Sequence, residues 1–210
     1  MLLGAIIESL TGRGLDELAK ERIFAPLGMT NTMFRPPKSL RARIASTERA
    51  APRKQLAHGE VHDENAWAMG RVAGHAGMFS TGPDLAIFCQ MLLNGGIYAH
   101  ERILCRKTVA EFTSANSLAA NTRTLGWNVP TERSSSGKYF SKQSIGHTGF
   151  TGTSIWIDPT KELFVVLLTN AARVHTNHEE DLIRRVQPAV HDTIVERLEL
   201  ARAGNQESAR

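Results

Sequence analysis

Hydrophobic residues recur at helical spacing near the start, the middle and the end of the chain. The first stretch carries Leu2, Leu3, Ile6, Ile7 and Leu10 on one stripe, and Gly12 follows at the position of a left-handed helix cap. A second amphipathic helix is predicted over residues 14–24, where Pro26 ends it. The strongest signal begins at Thr81, which precedes Pro83 and an acid three residues after the cap. Residues 104–113 predict another short helix.

The C-terminal half carries the strand signals. A strand-like run at residues 154–157 and a continuous apolar run at residues 163–168 flank a short turn at Asp158-Pro159. They predict an antiparallel pair, with the second run as a buried strand. Residues 179–200 have helical spacing, although Pro188 is expected to kink or split that helix. Residues 31–65 are polar and predict a long surface excursion, and residues 201–210 predict a frayed tail. The fold class is therefore α/β (α+β), an antiparallel sheet flanked by helices.

Composition narrows the class of protein without indicating chemistry. The chain has 210 residues, of which 41% are hydrophobic and 22% charged, as in ordinary globular domains. No run of about 18 apolar residues occurs, so no membrane span is expected. Two cysteines exclude a disulfide scaffold and a four-cysteine zinc site. One disulfide between Cys89 and Cys105 is compatible with the sequence, while the apolar surroundings of Cys89 favour a buried free thiol.

The net charge of +4 is local. Residues 35–54 hold seven basic side chains against one acidic residue, Glu48. Nucleic-acid binding would need a basic face with interleaved aromatic residues, and only Phe34 is near. We therefore interpret the stretch as a solvated basic loop and expect no nucleic-acid partner.

Residues 145–153, just before the strand pair, carry the clearest candidate chemistry. Three glycines and three threonines flank His147. Glycines in a strand allow a ligand or another backbone to approach closely, and histidine can move protons or bind anions near neutral pH. Taken alone, the pattern is equally consistent with a glycine-rich sheet edge and a surface histidine.

His147-Thr148-Gly149 before a strand hairpin resembles the third signature, usually Lys-Thr-Gly, of the penicillin-recognising serine hydrolases. This family includes class C type β-lactamases, low-molecular-weight penicillin-binding proteins, esterases and D-aminopeptidases. Other segments resemble the family in the same order along the chain. They are residues 2–12, 26–32 (PLGMTNT), 59–63, 74–81 and 169–170. The resemblance implies a β-lactamase/transpeptidase-like fold.

Two family motifs have no counterpart in this sequence. The nucleophilic Ser-x-x-Lys and the Tyr-x-Asn motif would both precede Leu2, so we expect the N-terminal part of the domain to be missing. Residues 1–200 would then be the C-terminal portion of a single serine-hydrolase domain, and the missing segment would be its partner. A formal Ser-x-x-Lys at residues 135–138 lies in a polar turn and in the wrong order, so we do not assign it as the nucleophile.

The resemblance also implies roles for the residues that are present. The backbone N–H of Phe150, directly after Gly149, would be an oxyanion donor, and His147 and Thr148 would face the polar end of the substrate. Histidine is only partly charged at neutral pH, which favours an ester, amide or D-amino-acid peptide over a β-lactam. The reaction would pass through an acyl-enzyme on a small-molecule or peptide substrate, with no cofactor. The family also implies a cell-envelope or periplasmic location for the complete protein.

The other histidines allow alternatives. His62, Asp63 and His75 are candidate substrate-binding residues, and His62-Asp63 is either a loop pair near the cleft or a structural hydrogen bond. A metal-dependent hydrolase would use histidines such as His58, His175, His178 and His191, but residues 58–62 lack the helical His-Glu-x-x-His order. A non-catalytic fragment or binding module that retains the cleft is the remaining hypothesis.

Overall fold

The computed structural model describes residues 1–50, 53–114, 122–170 and 179–208. The helices are α1 (Leu2–Thr11), α2 (Leu15–Ala19), α3 (Glu64–Ala68), α4 (Gly82–Leu93), α5 (Arg106–Thr113) and α6 (Glu179–Ser208). The strands are β1 (Met33–Phe34), β2 (Arg49–Ala50), β3 (Gln55–Leu56), β4 (Met78–Phe79), β5 (Ile97–Tyr98), β6 (Glu101–Arg102), β7 (Ile145–Thr148), β8 (Ser154–Asp158) and β9 (Leu163–Leu167). The chain divides into two units, Met1–Ile103 and Leu104–Arg210, and each is described by itself. A single domain over residues 1–200 stays a prediction.

In the first unit, α1 ends as its sequence predicts. Gly12 adopts φ 67°, and its N–H donates to Glu8 O at 2.9 Å. Gly4 is the buried residue of α1, and its backbone lies close to Gly74. A Cβ atom at Gly4 would be 3.2 Å from the backbone nitrogen of Gly74. The absence of both side chains therefore lets the helix approach the glycine-rich segment closely.

The second predicted helix forms as α2 and continues into a π-helical turn, Lys20–Phe24. The Ala25 N–H donates to Lys20 O at 2.8 Å, five residues back, which widens the helix before Pro26 ends it. Phe24, Leu27 and Met29 follow as buried residues. The predicted end of the helix is confirmed, while the widened last turn has no signal in the hydrophobic pattern.

The predicted surface excursion over residues 31–65 contains short elements. Strand β1 pairs with β4 through Met33 opposite Phe79, and β2 pairs with β3. A 3-10 helix, Lys38–Arg43, lies between β1 and β2. Two-residue strands leave no hydrophobic alternation to detect, which explains why the sequence pattern predicted only a loop.

The sequence predicted that the basic stretch, residues 35–54, would be solvated, but some of its arginines are bonded to the rest of the first unit. The side chain of Arg53 is 11% exposed, and its Nη2 donates to Val61 O at 2.9 Å and to His62 O at 2.7 Å. Its guanidinium also lies 5.2 Å from the ring centre of Trp67. Arg35 forms an ion pair with Asp16. These arginines hold segments of the first unit together because a guanidinium bonds several acceptors at once.

The start of α4 confirms the predicted cap. The Thr81 hydroxyl accepts a bond from Asp84 N–H at 3.4 Å. The buried Asp84 carboxylate accepts from Asn31 N–H at 2.9 Å and from Thr32 Oγ1 at 2.8 Å. It therefore joins the end of segment 26–32 to α4. On the same helix, Cys89 is a fully buried free thiol, as expected.

The second unit contains the predicted antiparallel sheet, in the order β7-β8-β9. His147 lies opposite Ile155, and Thr148 lies opposite Ser154. A Cβ atom at Gly146 would lie 2.3 Å from Trp156 Cδ2, so glycine leaves room for the indole. Trp156 packs with Phe140, Val165 and Val195 in the core of this unit, which attaches α6 to the sheet.

Helix α6 continues across Pro188 and through Ser208. Of the kink or split expected at Pro188, the split does not occur, and the tail predicted to fray from residue 201 is helical as far as Ser208. Proline removes one backbone donor, but Gln187 and His191 on either side of it are buried and hydrogen-bonded, so tertiary contacts maintain the helix. Within the described ranges, no helix is both long and apolar enough to cross a membrane.

Candidate active site

The predicted motif lies at the end of β7 with its side chains accessible. His147, Thr148, Gly149 and Phe150 are all exposed, and Phe150 is 78% exposed. The preceding residues Ile145 and Gly146 are buried in the sheet. The strand therefore changes from core to surface at the residue where the motif begins.

The hydrogen bonds of His147 define its tautomer. Its Nδ1 lies 2.8 Å from Thr148 O, which can only accept, so Nδ1 carries the hydrogen. Its Nε2 lies 3.2 Å from Arg123 Nη2 and accepts from that guanidinium. His147 thus lies next to the permanent positive charge of Arg123. The sequence indicated only the partial charge of the histidine at this position, and the structure adds the guanidinium of Arg123 beside it.

Arg123 is a candidate site residue that sequence reasoning missed. It lies 24 residues before His147 and reaches it through a local backbone pairing. Arg123 forms an antiparallel β-bridge with Asn128. Asn128 in turn pairs with Gly146: its N–H donates to Gly146 O at 2.7 Å, and the Gly146 N–H donates to Asn128 O at 2.9 Å. The only local signal was Gly126, which adopts φ 98° in the intervening turn.

The turn after the motif is closed by backbone bonds. Gly149 N–H donates to Thr153 O at 2.8 Å, and Gly152 N–H donates to Gly149 O at 3.0 Å. A Cβ atom at Gly149 would lie 2.4 Å from Thr153 Oγ1, and Gly152 has φ 84°. Gly152 is therefore needed for its backbone conformation, while a side chain at Gly149 would displace the Thr153 hydroxyl.

The first unit contains the predicted residues His62, Asp63 and His75. Asp63 caps α3, where its Oδ1 accepts from Ala66 N–H at 2.7 Å and lies 3.1 Å from His75 Nε2. The Ala66 bond, supported by His75, holds the pKa of the Asp63 carboxyl below its usual range against the opposing effect of burial. His62 Nε2 lies 3.1 Å from Glu48. These contacts favour the structural alternative, and a substrate contact stays a prediction.

The formal Ser-x-x-Lys sequence has no catalytic geometry. Trp156 Nε1 donates to Ser135 Oγ at 3.0 Å. The Lys138 ammonium lies instead 5.0 Å from the ring centre of Tyr139. The expectation that this serine is not the nucleophile is consistent with both contacts.

The histidines of the metal hypothesis have other partners where they are described. His58 Nε2 bonds Ile44 O at 2.9 Å. The buried His191 bonds Ser135 O and Ser154, and burial lowers its pKa. In the described ranges, no three His, Cys, Asp or Glu side chains are grouped as metal ligands would be. His175 and His178 lie outside the described residues.

A mixed fold with an exposed His-Thr-Gly edge strand is the arrangement expected of a β-lactamase/transpeptidase-like protein. The chain belongs to the β-lactamase family of serine hydrolases, whose family model matches residues 1–189. This confirms the family resemblance and the fold class stated from the sequence.

Curated relatives agree with this membership. The chain is 41% identical over 187 residues to proteins from Escherichia coli O157:H7 and from Escherichia coli strain K12, both named D-alanyl-D-alanine carboxypeptidase. Each alignment covers 81% of this chain and 43% of the relative. The chain therefore spans less than half the length of these relatives.

Solved structures share the fold at lower identity. A β-lactamase from Mycobacterium bovis matches with a TM-score of 0.62 at 20% identity, over 93% of this chain and 60% of its own. Simvastatin synthase from Aspergillus terreus matches with a TM-score of 0.61 at 20% identity, over 90% of this chain and 53% of its own. A penicillin-binding protein homologue from Caulobacter crescentus matches with a TM-score of 0.59 at 20% identity, over 80% of this chain and 49% of its own.

Proposed function

We propose that this chain forms the edge-strand side of the active site of a serine carboxypeptidase-type hydrolase, acting on peptides that end in a free carboxylate. The names of the curated relatives support the reaction class. The observation that carries the substrate class is the contact between Arg123 and His147 at the exposed start of the motif. A planar guanidinium binds a carboxylate through two parallel hydrogen bonds, which a neutral imidazole alone cannot provide.

The proposed reaction follows the acyl-enzyme mechanism of the family. A serine hydroxyl from the Ser-x-x-Lys motif, expected upstream of Leu2, attacks the carbonyl carbon of the last peptide bond. The C–N bond breaks, and the leaving amine takes up the proton that the serine hydroxyl gave up. Water then hydrolyses the serine ester, which releases the acid and restores the serine hydroxyl. During each addition the carbonyl oxygen gains negative charge, and the Phe150 N–H donates to it from the end of β7.

His147 and Thr148 would orient the substrate in this scheme. With its hydrogen on Nδ1, the imidazole of His147 presents its Nε2 lone pair to Arg123 and holds the guanidinium at the strand end. The Thr148 hydroxyl is exposed on the same strand and can donate to the substrate. Arg123 then supplies the charge that binds the terminal carboxylate.

The experiment uses the complete gene product and two peptides ending in D-alanyl-D-alanine, one with a free carboxylate and one amidated. We expect kcat/KM to favour the free acid. Arg123→Gln should remove most of that preference, roughly 10- to 100-fold for a hydrogen bond to a charged group. Arg123→Lys, which keeps the charge, should retain part of it. Equal rates on both peptides in the unmodified protein would contradict the proposed substrate class.

A second pair of variants tests the oxyanion donor. Phe150→Pro removes the backbone N–H, and loss of one such donor typically lowers kcat on the order of 10²- to 10³-fold. Phe150→Leu keeps the N–H and should be much more active. Equal activity of the two variants, with the fold verified by circular dichroism, would reject Phe150 as the donor. Peptide binding without turnover by the complete protein would instead indicate the non-catalytic binding module.

A further inference from the structure

Two buried polar side chains of α6 contact the region just beyond the motif. Gln187 is 5% exposed and His191 is fully buried. They are four residues apart and therefore share one face of the helix. Gln187 Nε2 donates to Gly152 O at 2.8 Å, and His191 Nε2 lies 3.2 Å from Ser154 Oγ. The two side chains thus hold the residues immediately before and after Thr153.

The tautomer of His191 follows from its second contact. Its Nδ1 lies 2.5 Å from Ser135 O, which can only accept, so Nδ1 carries the hydrogen. The Nε2 lone pair therefore accepts from the Ser154 hydroxyl. The ring also meets Phe140 edge-on, with ring centres 6.0 Å apart, so its orientation is restricted by packing as well as by hydrogen bonds.

These contacts connect α6 to the proposed oxyanion donor. Ser154 is paired with Thr148 across the sheet, and Gly152 N–H bonds Gly149 O. Side chains of α6 therefore hold the half of the turn that follows Phe150. Backbone bonds join that half to Thr148 and Gly149, which precede Phe150. Apolar residues could fill the same volume, but they would leave the Gly152 carbonyl without its bond from α6.

We propose that Gln187 and His191 are positioning residues that fix the turn around Phe150 and so set the geometry of the oxyanion donor. The kinetic part of this inference rests on the proposed function. The α6 contacts act on a donor whose hydrogen bond strengthens as charge develops on the carbonyl oxygen. Their loss should therefore lower kcat and leave KM nearly unchanged.

The first measurement is amide hydrogen exchange of Gly149 and Gly152 in the 210-residue chain. Gln187→Met keeps the volume of the side chain and removes the donor to Gly152 O. We expect exchange at the two glycines to accelerate on the order of five- to tenfold. The control is Val195→Ala, which weakens the same helix at a core position away from the turn. Equal acceleration in both variants would overturn the proposal.

The second measurement is steady-state kinetics of the same variants in the complete gene product. We expect Gln187→Met to lower kcat on the order of ten- to a hundredfold more than Val195→Ala does, with little change in KM. Ser154→Ala, which removes the hydroxyl facing His191, should act in the same direction and serves if Gln187→Met does not fold. A rise in KM at unchanged kcat would overturn the positioning role.

The two proposals fail in distinguishable ways. If Phe150→Pro retained full kcat, the oxyanion assignment would be wrong, whatever the exchange rates were. If Phe150→Pro lost activity while Gln187→Met and Ser154→Ala behaved like Val195→Ala, the proposed function would stand and the positioning role would be rejected.

Discussion

Removing the carboxylate of Asp158 is the clearest test of how the sheet of the second unit is stabilised. Asp158 is fully buried at the end of β8. Its Oδ2 accepts from Ser141 N–H at 2.7 Å. Its Oδ1 accepts from Ser141 Oγ at 2.8 Å, Thr160 Oγ1 at 2.7 Å, Thr160 N–H at 2.9 Å and Lys161 N–H at 3.2 Å. The side chain thus ties the β8–β9 turn to the segment before β7.

Asp158→Ala would leave these donors without their acceptor. A hydrogen bond to a charged group contributes about 1.5–3 kcal/mol to stability. Water can reach the donors at the exposed turn, so we count only the two bonds from Ser141. The expected loss in the free energy of unfolding is about 3–6 kcal/mol, twice the contribution of one such bond.

The same contacts predict a dependence on pH. Burial raises the pKa of Asp158, but the bonds from Ser141 and Thr160 together outweigh it and hold the pKa below its ordinary value. The folded state therefore binds the proton less tightly than the unfolded chain does. This contribution to stability is complete above the unfolded value of about 3.9 and is lost as the pH falls through the lower folded value.

Urea titration followed by fluorescence, repeated from neutral pH down to about pH 2, measures both effects. Asp158→Asn should remove this acid-dependent component, and Glu162→Gln, at an exposed position in the same turn, should leave it unchanged. The reasoning fails if Asp158→Ala costs no more than Glu162→Ala, or if Asp158→Asn retains the full acid dependence.

Three further predictions concern single residues. Ser135 should remain unlabelled after incubation with a fluorescent penicillin, measured by intact-mass spectrometry, because its hydroxyl accepts from Trp156. Iodoacetamide should modify Cys105 and spare Cys89 in the folded chain, since bonds from Thr108 lower the pKa of Cys105, whereas burial raises that of Cys89 to about 12. Gly146→Ala should lower the free energy of unfolding by about 1–3 kcal/mol or more, because its Cβ would overlap Trp156.

Each of these outcomes has a direct control. Penicillin labelling of Ser135 would show that the formal motif is catalytic. In the folded chain only Cys105 should be labelled, and in urea both cysteines should be. Equal labelling of the two in the folded state would contradict the burial of Cys89. Gly82→Ala is the matched glycine variant, since a Cβ there meets nothing within 4 Å. A Gly146→Ala variant as stable as Gly82→Ala would exclude the proposed overlap.

Local signals predicted the longer helices and the β8–β9 hairpin, but not the two-residue strands. The Thr81 cap and the following proline define the start of α4, and Asp158-Pro159 defines the turn between β8 and β9. In each case the determining residues lie within a few positions of the element. The His-Thr-Gly motif was likewise found because its residues are adjacent in sequence.

Long-range polar contacts could not be predicted in the same way. Arg123 meets His147, and Gln187 meets Gly152, across 24 and 35 residues. A single arginine or glutamine has no periodicity, so its partner is set only when the sheet and helix pack. Pro188 shows the same limit: its helix-breaking tendency is real but smaller than the tertiary contacts on both sides of it.

The close approach of Gly4 and Gly74 has a genetic consequence. A Cβ at Gly74 would lie 3.4 Å from Gly4 N, just as one at Gly4 would lie 3.2 Å from Gly74 N. A side chain at either position would contact the backbone of the other glycine, and glycine is already the smallest residue. A substitution at one position therefore cannot be rescued by a smaller residue at the other. A suppressor screen on Gly4→Val should yield revertants or changes elsewhere that shift α1, and no compensating allele at codon 74.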